Sequence, residues 1–315
     1  MTYDGTDGAQ PGAVEPAPDG KQRRDEAREK AKSIREQHRK QEKKSRLIIQ
    51  GSVILLAVAV IGIVAIILIN SIRPVGPGPL NMRSDGILIG EGFVAAQTAA
   101  TRAGADPLPT VRDEDSDVIA IDMYTDYFCS ICSAFEEANG EQIAKWVDTG
   151  AATVEIHPLA ILDRVSQGTK YSTRAANAAA CVANYSPDAY YAFHTALFDN
   201  RPEENTPGLT DEKLIELATK AKATRISSIS DCITDQKFRV WVADAKERAL
   251  TGPIPNSDVD AVSGTPTIIV NGVKYTGAAN DAAAFSKFVV QAAGTAFNED
   301  AVPSPSPSPS ASPAP

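Results

Sequence analysis

The sequence predicts an α/β domain with an inserted block of helices, carried behind one membrane-spanning helix. Three observations lead there. Residues 51–69, GSVILLAVAVIGIVAIILI, carry no charge. From about 85 to 296 the hydrophobic period switches between about two and about 3.6, the alternation of strands with helices. A pair of thiols, Cys129 and Cys132, sits where a strand pattern gives way to a helical one. A chain of 315 residues, 43% hydrophobic, can bury the core of one medium domain and still leave extensions.

Taken in order, residues 1–20 are rich in Gly, Asp, Ala and Pro and are expected to be disordered. Residues 21–46 hold 12 Lys and Arg against 5 Asp and Glu, a basic juxtamembrane segment suited to anionic lipid. No aromatic residue or glycine is interleaved with that charge, which argues against nucleic acid. The span itself is placed at 47–72; nineteen uncharged residues rise ~28 Å as a helix, about the hydrocarbon thickness of a bilayer. Beyond Ile72 the balance reverses, 19 basic against 31 acidic residues. Positive charge stays inside, so the amino terminus is expected in the cytoplasm and the rest outside, a single-pass protein of the cell membrane. A cleaved signal peptide is the competing reading. The apolar run is too long for one and lacks a small-x-small cleavage site before Arg73, which favours an uncleaved signal anchor. A linker follows at 73–84, and residues 297–315 are a Pro/Ser repeat that reads as a disordered tail.

Within 85–296 each element has its own signal. GILIG (86–90) is a short strand candidate, and VIAIDMY (118–124) alternates and runs into the cysteines. SICSAFEEANGEQIAKWV (130–147) has helical spacing, and ATVEIHPL (152–159) is a second core strand. A helical block, about 160–252, follows: 172–184, 187–199, 210–221 and one helix from Ile229 to Ala249. TIIVNGVKYTG (267–277) is a hairpin with Asn271-Gly272 at its turn, and Ala282 to Ala293 closes with a helix. Strand, helix, strand, helical block, hairpin and helix is the order of a thioredoxin-type sheet with an insertion.

Two cysteines three positions apart can serve as a redox switch, half a zinc site or a structural clip. A strand that delivers Cys129 to the first turn of a helix places its sulfur at free backbone N–H groups and the positive dipole end. That setting, worth about 0.3–2 kcal/mol, favours the thiolate, the attacking form in disulfide exchange. Cys129 is therefore the expected nucleophile. Cys132, one turn further in, is the expected resolving thiol. Closing the 181–232 loop stabilises by ~4 kcal/mol on chain-entropy grounds, against about 2 kcal/mol for the short 129–132 loop. Cys181 and Cys232 thus read as a structural disulfide, and the Cys129–Cys132 bond as the one easily opened. Zinc is the rival; Cys181 and Cys232 form no second close pair, and an even cysteine count in an exported domain leans toward disulfides.

DYFCSICSAFEE after an apolar strand, STRAANAAACVAN in the helical block and GTPTIIVNG near the end together resemble the DsbA-like thiol–disulfide oxidoreductases of the membrane-anchored bacterial type. The resemblance covers about residues 85–295 and none of the tails. It implies a cis bond at Pro266, opposite the cysteines, with the Thr265 backbone free to pair with an extended client. An ordinary turn proline before a strand is the alternative. It also implies exported client proteins with reduced cysteines and a reoxidising membrane partner of DsbB or VKOR type. Two positions depart from the family. Ser130-Ile131 stands where strongly oxidising relatives carry Pro-His, so a milder oxidant is expected; the Ser130 hydroxyl is the one donor left to help. The family's buried acid six residues before the first cysteine is here Met123; Asp122 relays a proton only if its strand bulges, and is otherwise a satisfied polar residue.

His157 and His194 show no carboxylate partner in sequence and read as structural, as do Trp146 and Trp241 at helical spacing. No Gly-rich phosphate loop and no HExxH appear, so neither cofactor nor metal is expected. The function expected is extracytoplasmic disulfide introduction or exchange. A membrane-tethered reductase or isomerase is the first alternative, and a redox-inactive binding adaptor the more distant one.

Overall fold

The computed structural model describes residues 76–113 and 116–299 and a few helical positions between 24 and 62. The chain divides into two units, Met1–Arg73 and Pro74–Pro315. Among the described residues no helix is long and apolar enough to cross a membrane. The expected span at 47–72 lies outside them, apart from 52 and 58–62, which are helical. Segment 1–20 lies outside them as well, as does the expected tail at 297–315 apart from 297–299, which are not disordered but end the closing helix.

The second unit is built on a five-stranded sheet. Its strands are β1 (Ile87–Ile89), β2 (Ile119–Thr125), β3 (Ala152–Pro158), β4 (Thr267–Val270) and β5 (Val273–Lys274), in the order β1-β3-β2-β4-β5. The β2–β3 pair is parallel and the other pairs are antiparallel. A parallel pair needs a crossover, and α1 (Ser130–Asp148) provides it. β4 and β5 meet at Asn271 (φ 45°) and Gly272 (φ 84°). Positive φ at both central positions is what an Asn-Gly hairpin turn supplies.

Period-two alternation gives the sheet two unlike faces. Ile121, Met123, Val154, Ile156, Ile268 and Val270 point into the main core with Phe135, Ile143 and Phe285. The last of these comes from the closing helix, Ala282–Glu299. Tyr124 and Ile269 point the other way, into a smaller core with Leu159, Ile254, Val259 and Val262. The second core exists because the chain folds back after Gly252, whose φ is 55°. A Cβ at that position would collide with the Asp260 carbonyl, so glycine is required.

Between β3 and β4 lie five helices: α2 (Tyr171–Tyr185), α3 (Tyr190–Asp199), α4 (Asp211–Lys220), α5 (Ile226–Thr234) and α6 (Arg239–Thr251); the closing helix is α7. The single helix expected from Ile229 to Ala249 is two. Gln236 turns left-handed at φ 49°, and the Lys237 N–H returns to the Cys232 carbonyl at 3.1 Å, a hydrogen-bonded helix stop. The buried Asn177 on α2 holds that break open by accepting the Phe238 N–H at 2.8 Å. Aliphatic periodicity continues across the break, which is why it was invisible in the sequence.

Residues 78–84, inside the stretch read as linker, are packed against the domain together with Asp85. Met82 is fully buried, Asn81 donates to the Ala183 carbonyl at 2.9 Å, and Asp85 accepts from Trp241 at 3.1 Å and from Arg248 at 2.6 Å.

Cys181 on α2 and Cys232 on α5 are joined by a disulfide spanning 51 positions, with both sulfurs in the interior. Replacing both with Ala should lower unfolding free energy by about 4 kcal/mol, through the loop entropy restored to the unfolded chain. Denaturant titration measures it; an unchanged midpoint would mean that the bond staples nothing.

Candidate active site

After Thr125 the chain leaves the sheet through Asp126, Tyr127 and Phe128, all fully buried, and enters α1 at Cys129. Cys129 is the N-cap residue, with extended backbone at φ −71° and ψ 123°. An N-cap side chain ordinarily offers an oxygen to the amides of the first turn. Here the acceptor is sulfur: the Cys132 N–H reaches Cys129 Sγ at 3.1 Å. The same thiol donates to the Thr265 carbonyl at 3.4 Å, and the Thr265–Pro266 peptide is cis.

Both thiols of the pair are free, and their environments differ. Cys129 is held down at about 7, first by the hydrogen bond from the Cys132 thiol and then by the Cys132 amide. These outweigh burial and the nearby charge of Asp126. Cys132, at 1% exposure, is pushed well above the usual thiol range by burial and by its role as donor to Cys129. One sulfur of the pair thus ionises near neutrality while the other stays a thiol. Beside them Ile131 is 57% exposed, and a groove of about 310 Å³ runs past Ile131, Phe135, Thr265, Pro266, Lys274 and Tyr275.

Several neighbours escaped the sequence reading. Asp126, three residues before Cys129, accepts N–H bonds from Phe128 at 2.9 Å, Ile161 at 2.8 Å and Leu162 at 3.0 Å. It ties the cysteine turn to the segment just after β3, and burial raises its pKa despite those donors. His194 has the carboxylate partner that was not evident, Glu136 at 3.0 Å. Its other ring nitrogen is hydrogen-bonded to Tyr127 at 3.2 Å. From the loop 200–210, Glu204 accepts the Ser130 N–H at 2.9 Å. That bond, with help from the Ser130 hydroxyl, holds the Glu204 carboxyl below its usual range. Asp126 stood in plain view in DYFCSIC, whereas Glu204 and Glu136 had no local signal.

Asp122 lies on the sheet face opposite α1. The β2–β3 ladder runs from Ile119↔Ala152 to Thr125↔Pro158 without interruption, so the bulge its relay role needed is absent. Its carboxylate is bonded to Arg112 at 2.6 Å, which makes it a satisfied polar residue; burial raises its pKa over that pairing. Asp122, Glu155 and His157 carry ligand atoms within 4.8 Å of one another, the one such trio that could hold a metal ion among the described residues. The Arg112 guanidinium already supplies the cation there. Glu155 is further satisfied by the hydroxyls of Ser84 and Thr110.

The thioredoxin family profile matches residues 113–290. Among solved structures, the reduced form of a disulfide bond oxidoreductase (DsbG) from Mycobacterium tuberculosis is 29% identical, covering 68% of this chain and 94% of its own, with a TM-score of 0.48. Reduced DsbA from the same organism is 28% identical, covering 67% and 99%, with a TM-score of 0.46. Oxidised BdbD from Bacillus subtilis is 17% identical, covering 70% and 100%, with a TM-score of 0.49. No curated protein gives a significant match.

The lowered Cys129 value has a consequence for stability. A folded-state pKa of about 7 against an ordinary 9.0 adds stability to the reduced protein that is present at alkaline pH and lost as pH falls through about 7. Relative to Cys129→Ser, the reduced protein should gain about 1 kcal/mol between about pH 6 and about pH 8. Denaturant unfolding of both at the two pH values measures the difference; a gap independent of pH would contradict the lowered thiol.

Proposed function

The chain belongs to the thioredoxin family, and from that premise we propose that it is a DsbA-like thiol–disulfide oxidoreductase that passes disulfides to exported proteins. The observation that carries the proposal is the unequal dithiol. The first-turn amide of Cys132 is aimed at the Cys129 sulfur at 3.1 Å, while Cys132 is buried beneath it. The family match over residues 113–290 supports the same reading.

The chemistry follows from that inequality. In the oxidised enzyme a client thiolate attacks the Cys129 sulfur. A client–Cys129 disulfide forms, and the bond to Cys132 breaks, with Cys132 leaving as a thiolate that takes up a proton. A second client thiolate then attacks the client sulfur of that mixed disulfide and expels Cys129, whose thiolate is the better leaving group because the helix end stabilises it. The client has lost two protons and two electrons, and the enzyme has become a dithiol. A membrane partner of DsbB or VKOR type removes the two electrons again.

The groove beside Pro266 suits an extended client segment. The Thr265 backbone offers it a strand-like partner, with Ile131, Phe135 and Tyr275 as apolar contacts. Ser130-Ile131 supplies no cation to the thiolate, which makes the pair a milder oxidant. The charge reversal around residues 51–69 supports a membrane-anchored chain with this domain outside the cell membrane. Basic residues 21–46 would then lie against anionic lipid on the cytoplasmic side.

Cys132→Ser tests the function. The remaining Cys129 thiolate exchanges with client disulfides, and no resolving thiol releases the product, so mixed disulfides should accumulate and disappear on reduction. Their absence from cells, with Cys129 alkylated no faster than free cysteine, would refute the exchange reaction. Labelling of Cys129 in intact cells by a membrane-impermeant maleimide tests the location; labelling only after lysis would refute it.

A further inference from the structure

The loop 200–210, between α3 and α4, crosses the amino-terminal end of α1 and takes hold of Cys129 from both sides in sequence. Arg201 Nη1 donates to the carbonyl of Phe128, the residue before, at 3.4 Å, and to Pro202 at 2.8 Å. Glu204 Oε1 accepts the amide of Ser130, the residue after, at 2.9 Å. We propose that Glu204 is a positioning residue for the dithiol: it fixes the active-site turn and restrains thiolate formation at Cys129 by placing a carboxylate on an amide at the same helix end. The inference rests on the exchange reaction proposed above and deepens it.

The physical argument is one of two anions and one helix terminus. The free N–H groups of a first turn, with the dipole behind them, stabilise negative charge worth typically 0.3–1 kcal/mol at a partly exposed site. In this turn the donors are divided: the Cys132 amide goes to sulfur and the Ser130 amide to Glu204. A carboxylate held there repels the second anion that appears when Cys129 ionises. Of the other charged or titratable groups, Asp126 and Cys132 act on Cys129 directly, Arg201 on the same loop acts on Glu204, and Lys274 on β5 lines the groove with Ile131 and Thr265. Arg201 is itself turned onto backbone carbonyls. The insertion thereby supplies a residue that weakens the oxidant, adding to the effect of the missing Pro-His.

Glu204→Gln keeps the amide acceptor and removes the charge. The readout is alkylation of reduced protein by iodoacetamide, in which the Cys129 thiolate displaces iodide and forms a thioether. At about pH 6 the variant should react about two- to fivefold faster, the rate factor equivalent to the charge effect above. The two rate profiles should converge at higher pH. Equilibration with glutathione, in which two glutathione thiols give two electrons to the Cys129–Cys132 disulfide, should shift toward the dithiol by the same factor. Glu204→Ala, which removes acceptor and charge together, should shift in the same direction and serves if the Gln variant folds poorly. A purely structural Glu204 would lower the melting temperature and leave the alkylation profile where it was. Profiles that coincide with the parent, or move to higher pH, would overturn the proposal. A parent Cys129 no more reactive than free cysteine would instead strike the exchange reaction, so the two failures are told apart.

Discussion

The chemistry proposed for this domain depends on how Cys132 meets the sulfur of Cys129, with its thiol first and with its amide at 3.1 Å beside it. A helix leaves its first amides without intrahelical partners, and some group must satisfy them. In most helices a serine, threonine, aspartate or asparagine does so. Here the strand β2 delivers a cysteine to that position, and the unfilled hydrogen-bonding capacity of the helix becomes stabilisation of a thiolate. The second cysteine is buried by the same geometry, because the third position of the first turn faces the sheet.

The rest of the fold holds that turn in place. The apolar face of β2 and β3 receives Phe135, Ile143 and Val147 from α1, so the helix cannot slide along the sheet without opening the core. Asp126 locks the loop that enters the helix, through three backbone amides taken from both ends of the site. The hairpin from β4 to β5 brings the Thr265 carbonyl within reach of the sulfur. Asn271 in that hairpin also accepts the Ala120 amide at 2.8 Å, which fixes β4 against β2.

The helical block is attached at the site as well as to the core. Its disulfide joins α2 to α5, and His194 on α3 bridges Glu136 on α1 to Tyr127 in the entry loop. The loop after α3 then lays Arg201 and Glu204 across the cysteine turn. The Glu136–His194 and Arg201–Phe128 bonds are partly buried, the setting in which hydrogen bonds to a charged group weigh most, whereas the Ser130–Glu204 bond lies at the surface. The opposite sheet face carries a different arrangement. Asp122 and Glu155 stand directly across from each other, a like-charged pair that a sheet tolerates only with counter-charge and donors, here Arg112, Ser84 and Thr110.

Local information was enough for the strand–helix junction at Cys129, the hairpin at Asn271-Gly272 and the helix periods of the block. Each is decided by residues within a few positions: an N-cap, a turn pair that accepts positive φ, an apolar stripe. The spacing of Cys129 and Cys132 likewise determined which sulfur meets the helix end. Tertiary structure alone decided what surrounds that sulfur. Glu204 lies far along the chain from Ser130 and reaches it only because α3 and α4 turn the intervening loop across α1. The break between α5 and α6 was settled by a side chain, Asn177, on another helix. Asp122 was assigned by Arg112, which approaches from outside β2. Electrostatics and hydrogen bonding act through space and are indifferent to sequence separation, whereas helix and turn propensities act along the chain. The amino-acid order therefore specified the pair of thiols at the helix end, and tertiary packing specified what surrounds them.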